Sequence, residues 1–434
     1  MRRTEYKNDR ALHQNPKCDI CVCSAAKVTT VKVLDYYRKR RMTMAIMEYF
    51  TPTHVYFGIG AEDQVGEVLK SYGAIKVLVH FGSGSVRRTG ILDDIEEKLK
   101  DAGIEYVELG GVVPNPRVSL VRKGIKLYES EGCDFILAVG GGSVLDSAKA
   151  IGYGVYGGGD VWDFYCGKRK VEGTAPVGCV LTLSATGSEM SDSSVITNDE
   201  TEPTYKRGVN TDFGRVKFAM LDPMLTATVS KYQTACGATD IMMHTLERYF
   251  HQGYALDFTD QLSFTLLKEV MKWAPSALDN PEDYDARANL MWCGSLSHNG
   301  LMAAGNSNKG DWACHQIEHE LSAEYDVAHG AGLAAIWGSW ARYVLEVDPS
   351  RFIKLGEGVF GESDPVRTIE KFEEFFRSID MPTDIKGLGL NFDEAACRTA
   401  ALGVTFQNAR KIGNFKVLDT EDIFNIYMMA SGLK

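Results

Sequence analysis

The sequence lacks the long apolar runs and the excess of positive charge that mark two large classes of protein. No stretch of about 18 uncharged apolar residues occurs in the 434-residue chain, so we expect no transmembrane helix. The formal net charge is −11, whereas non-specific nucleic-acid binding needs a positive surface. We therefore expect a globular protein without a membrane or nucleic-acid partner.

The sequence also lacks the dense, regular cysteine pattern of a small disulfide-stapled domain. Its 10 cysteines are scattered, mostly through apolar or helical segments, where a buried free thiol is the ordinary outcome. This distribution favours a reducing compartment, and we expect a cytoplasmic protein.

Two hydrolase signatures are missing as well. A zinc protease needs H-E-x-x-H, but Gln316 follows His315 where the glutamate should stand. A serine hydrolase of the α/β class needs G-x-S-x-G, and the segment Gly82-Ser83-Gly84-Ser85 does not match it. The letters therefore count against both kinds of hydrolase.

Residues 1–45 differ from the rest of the chain in charge, with 11 basic residues against 4 acidic ones. The pair Cys18 and Cys21 supplies only two of the four ligands of a structural zinc. The segment has no clean apolar core for a secretory signal and too many acids for a mitochondrial presequence. We interpret it as a dispensable basic extension that is poorly ordered; an arm that contacts RNA or anionic lipid is the alternative. The natural start would then lie at a later methionine: Met42, Met44 or Met47.

From Met47 onward the pattern predicts strands that alternate with helices. The predicted strands cover 53–58, 76–81, 106–109 and 135–139, and the predicted helices cover 91–100, 119–130 and a segment that begins at Val144. Strand 135–139 is continuously apolar, as expected for a parallel strand buried on both faces. Alternation of this kind indicates right-handed βαβ units around a parallel sheet.

After about residue 228 the strand pattern ends. Long helical patterns follow at 232–250, 258–274 and 284–301. We therefore predict an α/β dinucleotide-binding domain over 46–228 and an all-helical domain over 229–434.

A glycine-rich turn, Gly140-Gly141-Gly142-Ser143, lies between a buried strand and a helix start. Backbone N–H groups at such a helix N-terminus favour a pyrophosphate, and glycine lets the ligand approach closely. The usual G-x-G-x-x-G fingerprint is absent, so a tight turn without a ligand is the alternative. Asp146 and Lys149 share one face of the helix that follows; alone they also fit a solvated ion pair.

A second turn, Gly82-Ser83-Gly84-Ser85, follows an earlier strand. A cofactor without a 2′-phosphate is usually held by an acidic residue at such a strand end, and none stands here. Arg87 and Arg88 follow instead, and hydroxyls with guanidinium groups suit a 2′-phosphate. The turn therefore predicts NADP(H), unless both arginines are only surface charge.

Histidines and an aspartate cluster in two windows of the helical region. Asp240 and His244 are four residues apart, as are His315 and His319, and His329 follows just before a glycine. One carboxylate with imidazoles suits Fe(II), Zn(II), Co(II) or Ni(II). Any one of these histidines alone would more often be a satisfied core residue, but two helical pairs and His329 favour a metal site.

Taken in order, these motifs resemble the iron-containing (group III) alcohol dehydrogenases, and within them the NADPH-using butanol dehydrogenase and aldehyde reductase branch. The resemblance runs from about Met47 to near the C-terminus. The segments that carry it are FGSGSVRRTG (81–90), GGVVPNPR (110–117), LAVGGGSVLDSAK (137–149), LTLSATGSEMS (181–191), ATDIMMHTLERYF (238–250), ARANLMWCGSLSHNGL (286–301) and DWACHQIEHELSAEYDVAHG (311–330).

The resemblance implies a role for each matching residue. The implied metal ligands are Asp240, His244, His315 and His329. His319 would lie near the nicotinamide as a candidate for proton relay. The implied cofactor contacts are Gly82, Ser83, Ser85, Asn115, Gly141, Gly142, Ser143, Asp146, Thr182, Thr186 and Lys206, to which the turn itself adds Arg87. NAD-preferring relatives carry an aspartate where Ser83 stands.

The resemblance also implies the dehydroquinate synthase-like fold of this family, with the helical domain as the metal-binding domain and the reaction in the cleft between the domains. It implies an NADP(H)-dependent alcohol dehydrogenase that acts mainly as a reductase of short-chain aldehydes such as butyraldehyde. It further implies Fe(II) as the metal, with Zn(II) as the alternative, and a homodimer. We interpret Trp312 and Cys314 as packing residues.

Three other functions stay open. A same-fold lyase would carry more basic residues for a polyanionic substrate than this acidic chain offers. A polyol dehydrogenase of the glycerol type would favour NAD and zinc. A binding protein without catalysis would have no reason to keep four ligand positions.

Overall fold

Short apolar segments form a parallel sheet in the computed structural model, which describes residues 46–434. The strands are β1 (His54–Phe57), β2 (Lys76–Gly82), β3 (Glu105–Val112), β4 (Phe135–Gly140), β5 (Val177–Leu181), β6 (Ser193–Asn198), β7 (Tyr205–Asn210) and β8 (Phe218–Leu221). Six of them form one sheet in the order β1-β8-β5-β4-β2-β3, and every pairing in it is parallel. Strands β6 and β7 form a separate antiparallel pair.

Strand β4 shows why its sequence is continuously apolar. Phe135, Leu137 and Val139 point into one buried cluster. Ile136 and Ala138 point into another cluster on the opposite face. Because side chains alternate along a strand, a sheet covered on both faces needs apolar residues at every position. The predicted parallel sheet with two covered faces is confirmed.

Helices connect these strands. They are α1 (Val65–Ser71), α2 (Ser85–Arg88), α3 (Ile91–Asp101), α4 (Val118–Glu131), α5 (Gly142–Gly157) and α6 (Trp162–Tyr165). The predicted helices at 91–100 and 119–130 match α3 and α4 to within one residue at each end. Helix α5 begins at Gly142, two residues before the predicted position, so the glycine-rich turn itself supplies its N-terminus.

From Lys231 onward the described chain consists of helices and the loops between them, with one isolated β-bridge and no strand. The helices are α7 (Lys231–Tyr249), α8 (Asp257–Asp279), α9 (Tyr284–His298), α10 (Ala313–Tyr325), α11 (His329–Val344), α12 (Pro349–Phe360), α13 (Pro365–Ser378), α14 (Glu394–Val404) and α15 (Thr420–Ala430). Ser230 lies directly before α7, and its hydroxyl accepts a hydrogen bond from the backbone N–H of Gln233 as the helix cap. Trp337 and Trp340, each 1% exposed, belong to one large apolar cluster. The predicted fold class, an α/β part followed by a helical part, is confirmed.

The loop that follows β5 joins the α/β part to the helical part. The Ser295 hydroxyl donates to the Glu189 carboxylate at 2.5 Å, and His298 Nδ1 donates to the Thr186 carbonyl at 2.8 Å. Residues 46–434 accordingly form one compact unit. Within them, no helix combines the length and the apolar character that crossing a bilayer requires. The interpretation of residues 1–45 as a basic extension lies outside the described residues, and the exact domain boundaries stay a prediction.

Candidate metal and cofactor site

Helix α7 carries the first pair of predicted metal ligands. Asp240 and His244 are one turn apart, and both side chains are buried. His244 Nδ1 lies 3.5 Å from Asp240 Oδ1. Burial lowers the pKa of His244 well below its ordinary value, and the neighbouring imidazoles of His298 and His315 lower it further. A neutral imidazole is the form that binds a metal.

Two other helices bring the remaining predicted ligands to the same carboxylate. His315 lies in the first turn of α10, and His329 is the first residue of α11. The Nε2 atoms of His315 and His329 each lie 3.8 Å from Asp240 Oδ1. The structure therefore brings all four predicted ligands together around one oxygen atom.

The polar atoms of this cluster fit a metal ion. Asp240 Oδ1, His244 Nδ1 and His315 Nε2 are buried and have no hydrogen-bond partner among the described residues. A buried polar group left unpaired costs about 1–3 kcal/mol, and such groups are uncommon without a reason. A divalent cation among them would satisfy these atoms at once. Three imidazoles with one carboxylate form a donor set that suits Fe(II) or Zn(II).

Two buried glutamates hold the outer nitrogens of these imidazoles. Glu247 accepts from His315 Nδ1 at 3.0 Å and from the His315 backbone N–H at 2.9 Å. Glu318 accepts from His329 Nδ1. Burial lowers the pKa of His315, but the carboxylates of Asp240 and Glu247 outweigh burial and raise that pKa to about 9. Carboxylates in this position fix the tautomer and the ring orientation of metal-binding histidines.

His319 lies at the edge of the cluster. Its ring centroid is 5.8 Å from that of His329. Burial lowers its pKa well below the ordinary value, with a further contribution from the Lys206 ammonium. Glu318, His319 and His329 also lie close enough to hold a cation. The two oxygens of Glu318, however, already accept from Ser322 and His329, which leaves that second group without a free carboxylate.

The predicted cofactor residues lie at one edge of the sheet. Strands β5, β4 and β2 are neighbours and parallel, so their carboxyl ends meet at the same edge. The residues at or just after these ends are Gly82, Ser83 and Ser85 for β2, Gly141, Gly142 and Ser143 for β4, and Thr182 and Thr186 for β5. In open α/β sheets this edge is the usual place for a bound nucleotide.

The glycines of this edge are required by close packing. A Cβ on Gly142 would collide with the hydroxyl of Thr186, and a Cβ on Gly141 would come within 3.0 Å of Leu183 Cβ. The loop after β5 therefore lies directly against the first turn of α5. Gly84 has a φ of +124°, a conformation that other residues rarely adopt.

Asp146 and Lys149 hold that loop in place. Lys149 is buried, and its ammonium donates to the carbonyls of Ser188 at 2.7 Å and Ser193 at 2.8 Å. Asp146 accepts from the Ser188 hydroxyl at 2.7 Å and from the Val195 backbone N–H at 3.0 Å. The alternative of a solvated ion pair is therefore wrong. A direct contact between Asp146 and the cofactor stays a prediction.

Arg87 has carboxylates around it. Its guanidinium contacts Glu108 and lies 3.5 Å from both Glu96 and Asp93. Nearly half of the side chain is exposed. To reach a 2′-phosphate, Arg87 would have to leave Glu108, so this arrangement favours the surface-charge alternative for Arg87.

Asn115 and Lys206, two of the predicted cofactor contacts, meet next to the histidine cluster. Lys206 Nζ donates to Asn115 Oδ1 at 2.9 Å and lies 3.6 Å from Glu318 Oε2. Lys206 is almost wholly buried, at 6% side-chain exposure. The structure thus places two predicted cofactor contacts next to a carboxylate that orients a predicted metal ligand.

Sequence reasoning missed three residues of this site. Glu247 lies seven residues after Asp240 on the same helix face, a spacing that was available in the sequence. Glu318 contacts a residue of the next helix, and no local spacing reveals that contact. His298 packs against His244 with ring centroids 4.0 Å apart, although it comes from α9. Trp312, interpreted as a packing residue, has its ring centroid 5.2 Å from that of His315 and so borders the cluster.

Comparison with known proteins gives a consistent result over almost the whole described chain. The family model for the iron-containing alcohol dehydrogenases matches residues 52–223. The model for the C-terminal part of the Fe-containing alcohol dehydrogenase family matches residues 234–431.

The similarity to individual relatives extends over nearly the full length of each relative. NADH-dependent butanol dehydrogenase A of Clostridium acetobutylicum is 40% identical over 392 residues, 88% of this chain and 99% of that protein. An NADPH-dependent aldehyde reductase of Escherichia coli is 34% identical, over 79% of this chain and 88% of that protein. The crystal structure of NADH-dependent butanol dehydrogenase A from Thermotoga maritima aligns with a TM-score of 0.86 at 36% identity, covering 89% of this chain and 99% of that one. The chain therefore belongs to the iron-containing alcohol dehydrogenase family.

Proposed function

We propose that this protein is a divalent-metal-dependent, NADP(H)-linked alcohol dehydrogenase that works mainly as a reductase of short-chain aldehydes. The observation that carries the proposal is that buried side-chain atoms of Asp240, His244 and His315 have no hydrogen-bond partner within residues 46–434. They lie in the same compact unit as a parallel sheet whose carboxyl edge suits a nucleotide. Relatives named as butanol dehydrogenases and as an aldehyde reductase support the substrate class.

In this proposal the chain's own residues bring one carboxylate and three imidazoles together. When bound, the metal supplies a Lewis acid for the substrate oxygen, and the nicotinamide supplies or takes up the hydride. Asp240, His244, His315 and His329 hold the metal, with Fe(II) as the first candidate and Zn(II) as the second. Glu247 and Glu318 keep two of the imidazoles in the tautomer that presents Nε2.

His319 moves the proton in this proposal. It is half-buried beside His329, and a relay through its ring connects the alcohol oxygen with solvent. Burial favours its neutral form, which can accept a proton at one ring nitrogen and donate one at the other.

Preference for NADP(H) rests on the turn after β2. Ser83 and Ser85 offer hydroxyl groups there, and no acidic residue stands within Gly82-Ser83-Gly84-Ser85 to repel a 2′-phosphate. Arg88, whose guanidinium lies near Gly84, is a better placed cation than Arg87. Remaining contacts to the cofactor are proposed for Asn115, Gly141, Gly142, Ser143, Asp146, Thr182, Thr186 and Lys206.

NAD(H) is the second candidate cofactor, and one observation favours it. Arg87 is already paired with Glu108, which removes one cation from the 2′-phosphate site. Relatives at 36–40% identity are named as NADH-dependent enzymes. The class of reaction is the same with either cofactor.

The proposal includes the setting of the enzyme. The seven cysteines within the described residues are free thiols, which favours the reducing cytoplasm. We further propose a homodimer, which light scattering coupled to gel filtration measures directly. Residues 46–228 serve as the dinucleotide-binding domain and 229–434 as the metal-binding domain.

The test is oxidation of NADPH and of NADH with butyraldehyde, on protein stripped of metal and then reloaded anaerobically with Fe(II) or Zn(II). The proposal expects turnover only after reloading, and faster turnover with NADPH. Turnover with NADH alone would replace the cofactor assignment by the second candidate. No oxidation with any metal or cofactor would contradict the proposed activity and favour a same-fold lyase or a binding protein.

A further inference from the structure

Two buried carboxylates perform the same task for two different imidazoles. Glu247 and Glu318 are 2% and 0% exposed, and each accepts a hydrogen bond from the Nδ1 of a proposed metal ligand. Gly332 on α11 makes room for Glu318, because a Cβ there would come within 2.8 Å of Glu318 Cγ. The pair therefore offers an internal comparison of two positions with equal charge and equal burial.

Only Glu318 also faces the cofactor side. Its Oε2, which accepts from His329, lies 3.6 Å from Lys206 Nζ. Lys206 in turn donates to Asn115 Oδ1 at 2.9 Å, and Asn115 Nδ2 donates to Asp326 at 3.0 Å. A continuous chain of polar contacts therefore runs from His329 through Glu318 and Lys206 to Asn115. No hydrogen bond or ion pair among the described residues joins Glu247 to Lys206.

We propose that Glu318 couples the metal site to the cofactor site, so that binding of a metal at His329 strengthens binding of the nicotinamide cofactor at Lys206. This inference rests on the proposed function, because it assigns His329 to the metal and Lys206 to the cofactor. Glu318 acts as a positioning residue: it touches neither ligand and works through its two neighbours.

The physical reason is competition for one carboxylate. A metal on His329 Nε2 makes the Nδ1–H a stronger donor, which draws Glu318 toward the imidazole. Lys206 then loses part of its ion pair with Glu318, and its ammonium becomes free to meet the negative charge of a cofactor phosphate. Since binding free energies are linked, the cofactor must strengthen metal binding by the same factor.

The experiment measures a ratio of affinities rather than activity. The dissociation constant of NADPH is determined from its fluorescence in the full-length chain, without metal and with saturating Co(II). The dissociation constant of Co(II) is determined from its visible absorption, without and with NADP⁺. We expect each ligand to tighten the other about 10-fold in the wild-type protein, within the range usual for coupled sites.

Glu318→Gln is the test variant and Glu247→Gln its matched control. Each variant removes one negative charge from a carboxylate that holds a proposed ligand, and each should weaken Co(II) binding by about 10–100-fold. The coupling factor should stay near 10-fold in Glu247→Gln and fall below about 3-fold in Glu318→Gln. Lys206→Met, which removes the other partner and leaves the metal ligands intact, should lose the coupling as well.

The outcomes separate this inference from the function on which it rests. Equal coupling factors in wild type, Glu318→Gln and Lys206→Met would overturn the inference while metal-dependent reduction of the aldehyde persists. Equal loss in Glu247→Gln and Glu318→Gln would also overturn it, because general loss of charge would then explain the effect. A wild-type chain that binds Co(II) but neither NADPH nor NADH would remove the proposed function together with the coupling.

Discussion

The carboxyl edge of the sheet and the histidine cluster of the helices differ in whether their polar groups already have partners within the described chain. At the sheet edge the charged groups have partners: Lys149 donates to three carbonyls, and Asp146 accepts two hydrogen bonds. In the cluster, Asp240 Oδ1, His244 Nδ1 and His315 Nε2 are buried without partners among the described residues. The polar groups of the first region are satisfied within the chain, whereas those of the second would be satisfied by a bound cation.

The difference explains what each region contributes to binding. Backbone N–H groups at the N-terminus of a helix such as α5 are already oriented for a phosphate, so we expect cofactor binding there to need little rearrangement. Buried imidazoles and a carboxylate cost stability until a cation joins them. Metal should therefore stabilise the fold more than the cofactor does.

The largest expected effect follows from removal of a ligand. His315→Ala should lose the metal and slow turnover at least ~10³-fold, because the Lewis acid supplies several kcal/mol of stabilisation. His319→Ala, the same change one turn along α10, should keep the metal and only slow turnover. Metal content by mass spectrometry and the NADPH-linked rate check both. Full metal content in His315→Ala would contradict the assignment of His315 as a metal ligand.

Removal of the metal should destabilise the chain more than removal of the cofactor. A ligand present at 1,000 times its dissociation constant stabilises the folded state by about 4 kcal/mol, and one present at 100 times by about 3 kcal/mol. Thermal unfolding of the metal-free, Zn(II)-loaded and NADP⁺-loaded chain measures both shifts. A larger shift with NADP⁺ than with Zn(II), at equal concentrations of the two ligands, would reverse the proposed contrast between the two regions.

Substitution at the sheet edge should alter the preference for NADPH over NADH rather than the stability of the fold. Ser83→Asp should weaken NADPH binding by about 10–100-fold, since an unpaired like charge near a phosphate costs about 1–3 kcal/mol. NADH binding should change little. Ser83→Asn is the control, because asparagine has the size of aspartate without its charge. It should keep the wild-type ratio of NADPH affinity to NADH affinity. If Ser83→Asp left the preference for NADPH over NADH unchanged, the 2′-phosphate would not bind next to residue 83.

The smallest effect concerns a buried histidine of the α/β part. His80 Nδ1 donates to the Leu109 carbonyl at 2.8 Å, and Nε2 accepts from the Ser147 hydroxyl at 2.8 Å. Burial lowers the pKa of His80 from 6.5 to about 4. The unfolded chain therefore takes up this proton first, and stability falls between pH 6.5 and 4.

At pH 5 this histidine should cost the wild-type protein about 2 kcal/mol of its stability at pH 7. His80→Gln keeps a donor and an acceptor but does not titrate, so it should lose less over the same interval. Urea unfolding at both pH values gives the difference. Equal losses in the two proteins would show that His80 does not set this pH dependence.

Local sequence patterns were enough to predict most of the fold and the glycine-rich turn at the carboxyl edge of the sheet. The apolar run 135–139, the helix at 119–130 and the glycine-rich turn depend on neighbours in sequence, so their positions could be predicted. Burial of Lys149 could not, because the carbonyls that hold it lie about 40 residues away.

The histidine cluster divides in the same way. Helical spacing paired Asp240 with His244, but His298 reaches the cluster only through the packing of α9 on α7. The contact of Glu318 with His329 depends on how α10 and α11 meet. Arg87 was predicted to contact a 2′-phosphate because the sequence does not reveal its partner. That partner, Glu108, lies on the neighbouring strand β3.

The most direct test of the central claim is the position of the bound metal. A crystal of the Co(II)-loaded chain with NADP⁺, measured at the cobalt absorption edge, locates the ion without reference to activity. The account predicts one strong anomalous peak within coordination distance of Asp240, His244, His315 and His329. A peak among Glu318, His319 and His329 instead, or none in the helical region, would contradict it.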